Sequence, residues 1–290
     1  MRLSRRAFGL VVATAAASPL LSPSVSAAAP GTPQGVRVPP LPRAHAHNDY
    51  EHTRPLLDAL DNGFTSVEAD IHLVDGELLV GHDPWALTPE RTLEALYLEP
   101  LRRRVLANHG SVYVRRTDFQ LLIDIKTEAE STYAALERRL DDHRWAFLFT
   151  RYARGRVWRG PVTAVLSGNR PRAVLEAQPR RRAFYDGRIV DGTDLGIGAD
   201  ARLTPLVSDN WTRLFTWRGA GEMPEAERER LHSIVQRAHA AGQRVRFWAT
   251  PDAAGPERTA LWRELVAAGV DHLNTDDLSG LADFLTARRH

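Results

Sequence analysis

Apolar positions along the chain fall in short β-like runs that alternate with helical patterns, with no long linker and no obvious internal repeat. Eight runs read as strands: Arg43 to His47, Ser66 to Leu73, Phe119 to Lys126, Val162 to Leu166, Ala183 to Tyr185, Leu206 to Asp209, Arg244 to Ala249 and His272 to Asn274. Eight strands with intervening helices in about 250 residues predict the α/β class, as a single (β/α)8 barrel over residues 43–290. A doubly wound open sheet is disfavoured because no glycine-rich phosphate loop follows the first strand. The first helix is signalled by Thr53 as its cap, Pro55 in its first turn and an apolar stripe of Leu56, Leu57 and Leu60. Asn62-Gly63 supplies its left-handed stop.

Alternation brings chemistry into the strands. Between Ser66 and Leu73, Val67, Ala69, Ile71 and Leu73 take one face, so Glu68, Asp70 and His72 share the other. Both faces of a barrel strand are buried, and buried carboxylates require a compensating cation. Asp75-Gly76 reads as a tight turn. The run Glu77 to Asp83 then returns as a second short strand, a β-hairpin insertion that carries His82 back toward the barrel mouth. Phe119 to Lys126 is apolar on both faces except for Asp124 and Lys126, which share a face at its carboxyl end. Glu68, Asp70 and Asp124 form a hard oxygen donor set of the kind that suits one Mg²⁺ or Ca²⁺.

Composition sharpens this reading. The 290 residues contain no cysteine, which excludes disulfides, thiolate catalysis and sulfur-ligated metal. Of the 38 basic residues, Lys126 is the only lysine, so a compact ammonium is favoured there over a forked guanidinium. The net charge of +2 belongs to the amino terminus. Residues 1–27 combine a charged start, a short apolar middle and the small residues Val25-Ser26-Ala27. Within them Ser4-Arg5-Arg6-Ala7-Phe8 resembles a twin-arginine signal. Its removal leaves 35 basic and 36 acidic residues, a balance that does not ask for nucleic acid. The expectation is export through the twin-arginine machinery to the cell envelope or medium. The apolar stretch is short and interrupted by Pro19 and Pro23, so no stable membrane span is expected. Residues 28–42, with five prolines and two glycines, read as an extended leader.

Four motifs carry a resemblance: Ala46-His47-Asn48-Asp49-Tyr50, Ser66-Val67-Glu68-Ala69-Asp70, Leu79-Val80-Gly81-His82 and Leu122-Ile123-Asp124-Ile125-Lys126. The chain resembles the glycerophosphodiester phosphodiesterase and phosphatidylinositol phospholipase C superfamily, most of all its altered-inheritance-of-mitochondria protein six branch, with spider sphingomyelinase D as a cousin. Phe247-Trp248-Ala249-Thr250 and Gly269 to Asp276 resemble that family's last two strands. The resemblance implies a (β/α)8 phosphoric diester hydrolase acting on a glycerophosphodiester or phospholipid-type substrate. It implies His47 and His82 as acid and base, Glu68, Asp70 and Asp124 as metal ligands, and Lys126 with Asn48 at the substrate phosphate. Glycerophosphodiesterases usually place Arg-Gly after the first histidine, whereas this chain has Asn48-Asp49, which weakens the case for a glycerol-specific substrate.

Two other readings compete. His45-x-His47 at the end of a first strand is how metal-dependent amidohydrolases begin their site, yet no histidine lies between His143 and His232 to complete it. A barrel that binds phosphorylated headgroups without turnover is the other; retention of both histidines, the three acids and the lone lysine argues against it. His45 shares a face with His47 and reads as its support or its rival. His72 reads as hydrogen-bonded inside the barrel, Trp248 as lining the mouth, and His109, His143, His232, His239 and His290 as solvated.

Overall fold

The computed structural model describes residues 38–190 and 192–287. The expected signal peptide, the leader as far as residue 37, and His290 lie outside the described residues. In chain order the strands are β1 (Leu41–Ala46), β2 (Phe64–Val74), β3 (Glu77–Val80), β4 (Phe119–Ile125), β5 (Arg151–Ala153), β6 (Arg156–Trp158), β7 (Val162–Gly168), β8 (Arg180–Arg181), β9 (Ala183–Arg188), β10 (Leu206–Asn210), β11 (Arg244–Trp248) and β12 (His272–Thr275). Eight of them pair in parallel in the order β1-β2-β4-β7-β9-β10-β11-β12, and β12 pairs again with β1. The result is a closed (β/α)8 barrel. All eight expected strands form, with no end displaced by more than three residues. β1 begins at Leu41, so the barrel starts inside the stretch read as leader to residue 42.

β3 pairs antiparallel with β2 through a turn in which Asp75 (φ 49°) and Gly76 (φ 86°) are both left-handed. That is the backbone a two-residue hairpin demands. β5, β6 and β8 form a separate three-stranded antiparallel sheet that the pattern reading did not anticipate. Its strands are short and arginine-rich, so they lack the apolar run by which the barrel strands announce themselves.

The first helix, Leu57–Asp61, corrects one expectation. Its capping position is Leu56 (φ 63°), not Thr53, and no side chain caps it there. Instead the buried Asp49 carboxylate reaches back and accepts the Leu56 N–H at 2.6 Å. Leu56 and Leu60 are fully buried while Leu57 is exposed, and Gly63 (φ 82°) ends the helix as expected.

The barrel interior is chemically divided. Leu122, Val165, Phe184 and Leu206, from β4, β7, β9 and β10, form an apolar cluster of their own, apart from the main core between barrel and helices. Two residues further along the same strands, and so on the same face, stand Asp124, Ser167, Asp186 and Ser208. The other half of the interior is polar: His45 on β1, Ser66 and Glu68 on β2, Arg246 on β11 and Asn274 on β12 are all buried. Outside the barrel the packing is conventional, as where Trp211 stacks on Phe215 at 4.1 Å and meets Phe247 edge-on at 5.4 Å. No described helix is long and apolar enough to cross a membrane.

Candidate active site

A cavity of about 270 Å³ opens at the carboxyl ends of the strands, lined by His47, Asn48, Glu68, Asp70, His82, Asp124 and Lys126 together with Ser167, Arg188, Arg246 and Trp248. All seven residues singled out from the sequence therefore meet in one place, at the end of the barrel where such folds do chemistry.

Strand register accounts for the cluster. β2 and β4 pair with Asp70 opposite Asp124, and Glu68 lies one interior position below. Glu68, Asp70 and Asp124 each place one carboxylate oxygen within 4.8 Å of the others. Gly168 makes room for this: it is left-handed (φ 66°), and a Cβ there would collide with the Asp124 carboxylate and the Ile125 carbonyl. Lys126 Nζ bridges Asp70 Oδ2 at 3.0 Å and Asp124 Oδ1 at 3.1 Å. The Tyr50 hydroxyl shares its proton between Asp70 Oδ2 at 2.7 Å and Asn48 Oδ1 at 2.8 Å.

The pocket is short of positive charge. Against three carboxylates stand Lys126 and Arg246, leaving one net negative charge, while Arg188 is already paired with Asp186 at 2.7 Å. Burial and the neighbouring Glu68 push the Asp70 carboxyl up to about 6 even with Lys126 beside it. Burial also raises Asp124 against the pull of Lys126. The Lys126 ammonium is held above its usual value because Asp70 and Asp124 outweigh the effect of burial. Glu68 differs: burial would raise it, but the Arg246 guanidinium and the His45 hydrogen bond hold it well below the ordinary range. Asp70 Oδ1 is buried and has no hydrogen-bond partner among the described residues. An orphaned carboxylate oxygen, an all-oxygen donor set and a residual negative charge fit a hard divalent cation held by Glu68, Asp70 and Asp124.

The histidines separate by partner. His47 Nδ1 lies 2.8 Å from Asp276 Oδ1, so Nδ1 carries the proton donated to that carboxylate and Nε2 is left free. Burial would lower His47, but the Asp276 hydrogen bond and the charges of Glu68 and Asp276 together outweigh it and the imidazole is raised. Asn48, left-handed at φ 46°, brings its side-chain amide nitrogen to 3.0 Å from His47 Nδ1 and 3.4 Å from the same carboxylate. His82 is open to solvent, with Nδ1 3.3 Å from Asp83 Oδ1. Its loop is pinned from below by the buried His72, whose Nε2 donates to the Gly81 and His82 carbonyls at 3.1 and 3.2 Å. His45 is closed off beneath the cavity: Nδ1 meets Ser66 Oγ at 2.7 Å and Nε2 meets Glu68 Oε2 at 3.4 Å. Burial and the charge of Arg246 push its imidazole down to about 4, so it stays neutral.

Comparison with known proteins places this arrangement. Residues 36–186 match the AIM6-like phosphodiesterase domain, and residues 244–279 match the glycerophosphoryl diester phosphodiesterase family. Altered inheritance of mitochondria protein 6 of Eremothecium gossypii is 34% identical over 274 residues, covering 85% of this chain and 70% of that protein. The homologue from Arthroderma benhamiae is 31% identical, covering 83% and 82%. The chain belongs to the AIM6-like phosphodiesterase family. A glycerophosphoryl diester phosphodiesterase structure from Parabacteroides distasonis shares the fold, with a TM-score of 0.50 at 14% identity over 86% of this chain and 87% of that one.

This AIM6-like phosphodiesterase brings further residues to the cavity. Arg188, Ser167 and Arg246 line the site without having been singled out, and Tyr50, Asp276 and Asn274 support it. Arg246 had a usable signal. It alternates with Arg244 on a strand whose remaining residues are apolar, the same contrast that exposes Asp124 on β4. His239, read as solvated, is exposed and also donates to Asp271 at 2.8 Å.

Asp49 supports the site's first loop at a cost that depends on pH. It is fully buried, accepts from Leu56 N–H and from the Tyr97 hydroxyl at 2.9 Å, and leaves Oδ1 without a partner among the described residues. Burial pushes its carboxyl up to about 7. The folded state therefore binds a proton that the unfolded chain, titrating near 3.9, has already lost, so stability falls as pH rises from about 4 to about 7. Asp49→Asn keeps an acceptor for both donors and has no charge to bury. Its urea midpoint is expected to change less between pH 5 and pH 8 than that of the wild type; an unchanged pH dependence would exclude Asp49 as the source.

Proposed function

We propose that the protein is a metal-dependent phosphoric diester hydrolase acting by two-histidine acid and base chemistry on a phospholipid-type or glycerophosphodiester substrate. The observation that carries this reading is the convergence of His47, His82, the three carboxylates and Lys126 on one cavity at the carboxyl end of the barrel. A phosphodiester resists attack because its anionic oxygens repel nucleophiles and its leaving alkoxide is strongly basic. A divalent cation bound by Glu68, Asp70 and Asp124 would act as a Lewis acid toward the phosphate oxygens.

The chain's own groups supply the rest. Lys126 stands between Asp70 and Asp124 and presents its ammonium to the phosphate, and the Asn48 amide lines the same cavity. His47, fixed in one tautomer by Asp276, offers Nε2 to take a proton from water or from a substrate hydroxyl. His82, on the far side of the hairpin and open to solvent, returns a proton to the leaving oxygen. Attack by an internal hydroxyl of the substrate gives a cyclic phosphate by the same proton transfers. Export through a twin-arginine signal at residues 1–27 belongs to this reading and rests on the sequence alone.

The test is turnover of bis-p-nitrophenyl phosphate by the full chain. EDTA is expected to abolish it and Mg²⁺ or Ca²⁺ to restore it; rescue by zinc alone counts against an oxygen-only site. Asp124→Asn is expected to lose metal affinity while keeping its fold, because the remaining carboxylates, Lys126 and Arg246 then nearly balance. Activity that survives chelation overturns the metal-dependent reading.

A further inference from the structure

Arg246 does something for this site that neither family membership nor the proposed chemistry accounts for. It leaves β11 and reaches through the barrel interior to Glu68 on β2, passing β12 and β1. One end of its guanidinium sits on Glu68 Oε2, and its Nε donates to Asn274 Oδ1 at 2.9 Å. The side chain is 4% exposed, yet it lines the cavity. His45 Nε2 approaches the same Glu68 oxygen at 3.4 Å, and His45 is itself held by Ser66, which also accepts from Gln120 Nε2 at 3.0 Å.

Two donors thus converge on Oε2, and Oε1 is left over. We infer that Arg246 is a positioning residue for the cation site: it fixes the Glu68 carboxylate so that a single oxygen faces the cluster shared with Asp70 and Asp124. The inference rests on the metal-dependent reading above. The geometry explains why an arginine stands here. A planar fork bonds Glu68 and Asn274 through two separate nitrogens held in fixed geometry, and its charge persists at every relevant pH. Without it Glu68 would be a buried carboxylate with one weak histidine contact, free to rotate out of the cluster.

Two physical effects oppose each other, and their signs differ. As a positive charge near a dication, Arg246 weakens cation binding by repulsion. As the clamp on a ligand, it strengthens binding by holding that ligand in place, an effect whose loss typically weakens metal affinity by about 10–100-fold. Positioning is inferred to win because Glu68 already absorbs the guanidinium charge by direct contact.

The experiment is calorimetric titration of the full-length chain with Mn²⁺ and Mg²⁺, with folding followed by circular dichroism. Arg246→Ala is expected to bind the cation about 10–100-fold more weakly than wild type. Arg246→Lys is expected to recover part of that loss, and added guanidinium ion more of it than sodium at equal ionic strength. Asn274→Ala leaves the Glu68 contact in place and removes only the second anchor, so it is expected to show a smaller loss in the same direction. It supplies the answer if Arg246→Ala does not fold. Unchanged or tighter binding in the variants, against a wild type that does bind, overturns the role of Arg246 alone. A wild-type chain that takes up no divalent cation overturns the metal-dependent reading and this inference together.

Discussion

His47→Asn and His82→Asn are each expected to lower turnover by about 10²–10⁴-fold while bound cation per chain stays at the wild-type level. Asparagine keeps a hydrogen-bonding group at each position but cannot exchange a proton near neutral pH, whereas an imidazole can. The double variant is expected to be little worse than either single one, since acid and base act on one reaction and removing either disables it. His45→Asn serves as the contrast. Its ring is walled off from the cavity and bonded to Ser66 and Glu68, so its loss is expected to cost far less turnover. An amidohydrolase site would behave oppositely, because both histidines of His45-x-His47 would then be ligands. Metal lost from both His45→Asn and His47→Asn would falsify the assignment of His47 to proton transfer.

The second large effect is expected at Lys126. Lys126→Arg is expected to fail almost as badly as Lys126→Ala, although it keeps the charge. The ammonium sits 3.0 and 3.1 Å from oxygens of two different carboxylates, a space matched to a compact, three-donor cation. A guanidinium is planar and larger, and it prefers to bind one carboxylate through two parallel bonds. Forced into this position it would pull Asp70 and Asp124 out of their shared arrangement. Steady-state kinetics with the chromogenic diester, together with cation titration, measure both consequences. Wild-type turnover in the arginine variant would remove the argument drawn from the single lysine.

Most of the barrel was legible because its strands alternate or run apolar over four or more residues, and because the charged exceptions cluster at their carboxyl ends. Glu68, Asp70 and Asp124 stood out for that reason: each is a carboxylate in a strand that otherwise asks to be buried. The first helix was placed correctly and capped wrongly, since Thr53 has the preferred chemistry but Asp49, seven residues before Leu56, reaches its N–H by folding back. That is a tertiary fact with no local sign. The same holds for Arg246, 178 residues from the carboxylate it grips, and for Asp276, 229 residues from His47. Spacing along the chain identifies what one strand presents; it carries no record of what stands opposite once the barrel is closed. The small sheet of β5, β6 and β8 was not legible for a third reason, that its strands are two or three residues long and carry no apolar run.

Closure of the ring brings the two ends of the chain to one histidine. β12 completes the barrel by pairing with β1, and Asp276, one residue beyond it, is the group that fixes the His47 ring. A nascent chain that has delivered β1 to β11 already holds both histidines, all three acids and the lysine, yet it has neither a sealed wall nor an oriented base. At roughly 5–20 residues per second that interval lasts many seconds between the emergence of His47 and that of Asp276. Under the proposed chemistry the chain is expected to stay inactive until the last strand docks, so the appearance of activity on a ribosome-stalled series of chains would mark ring closure itself.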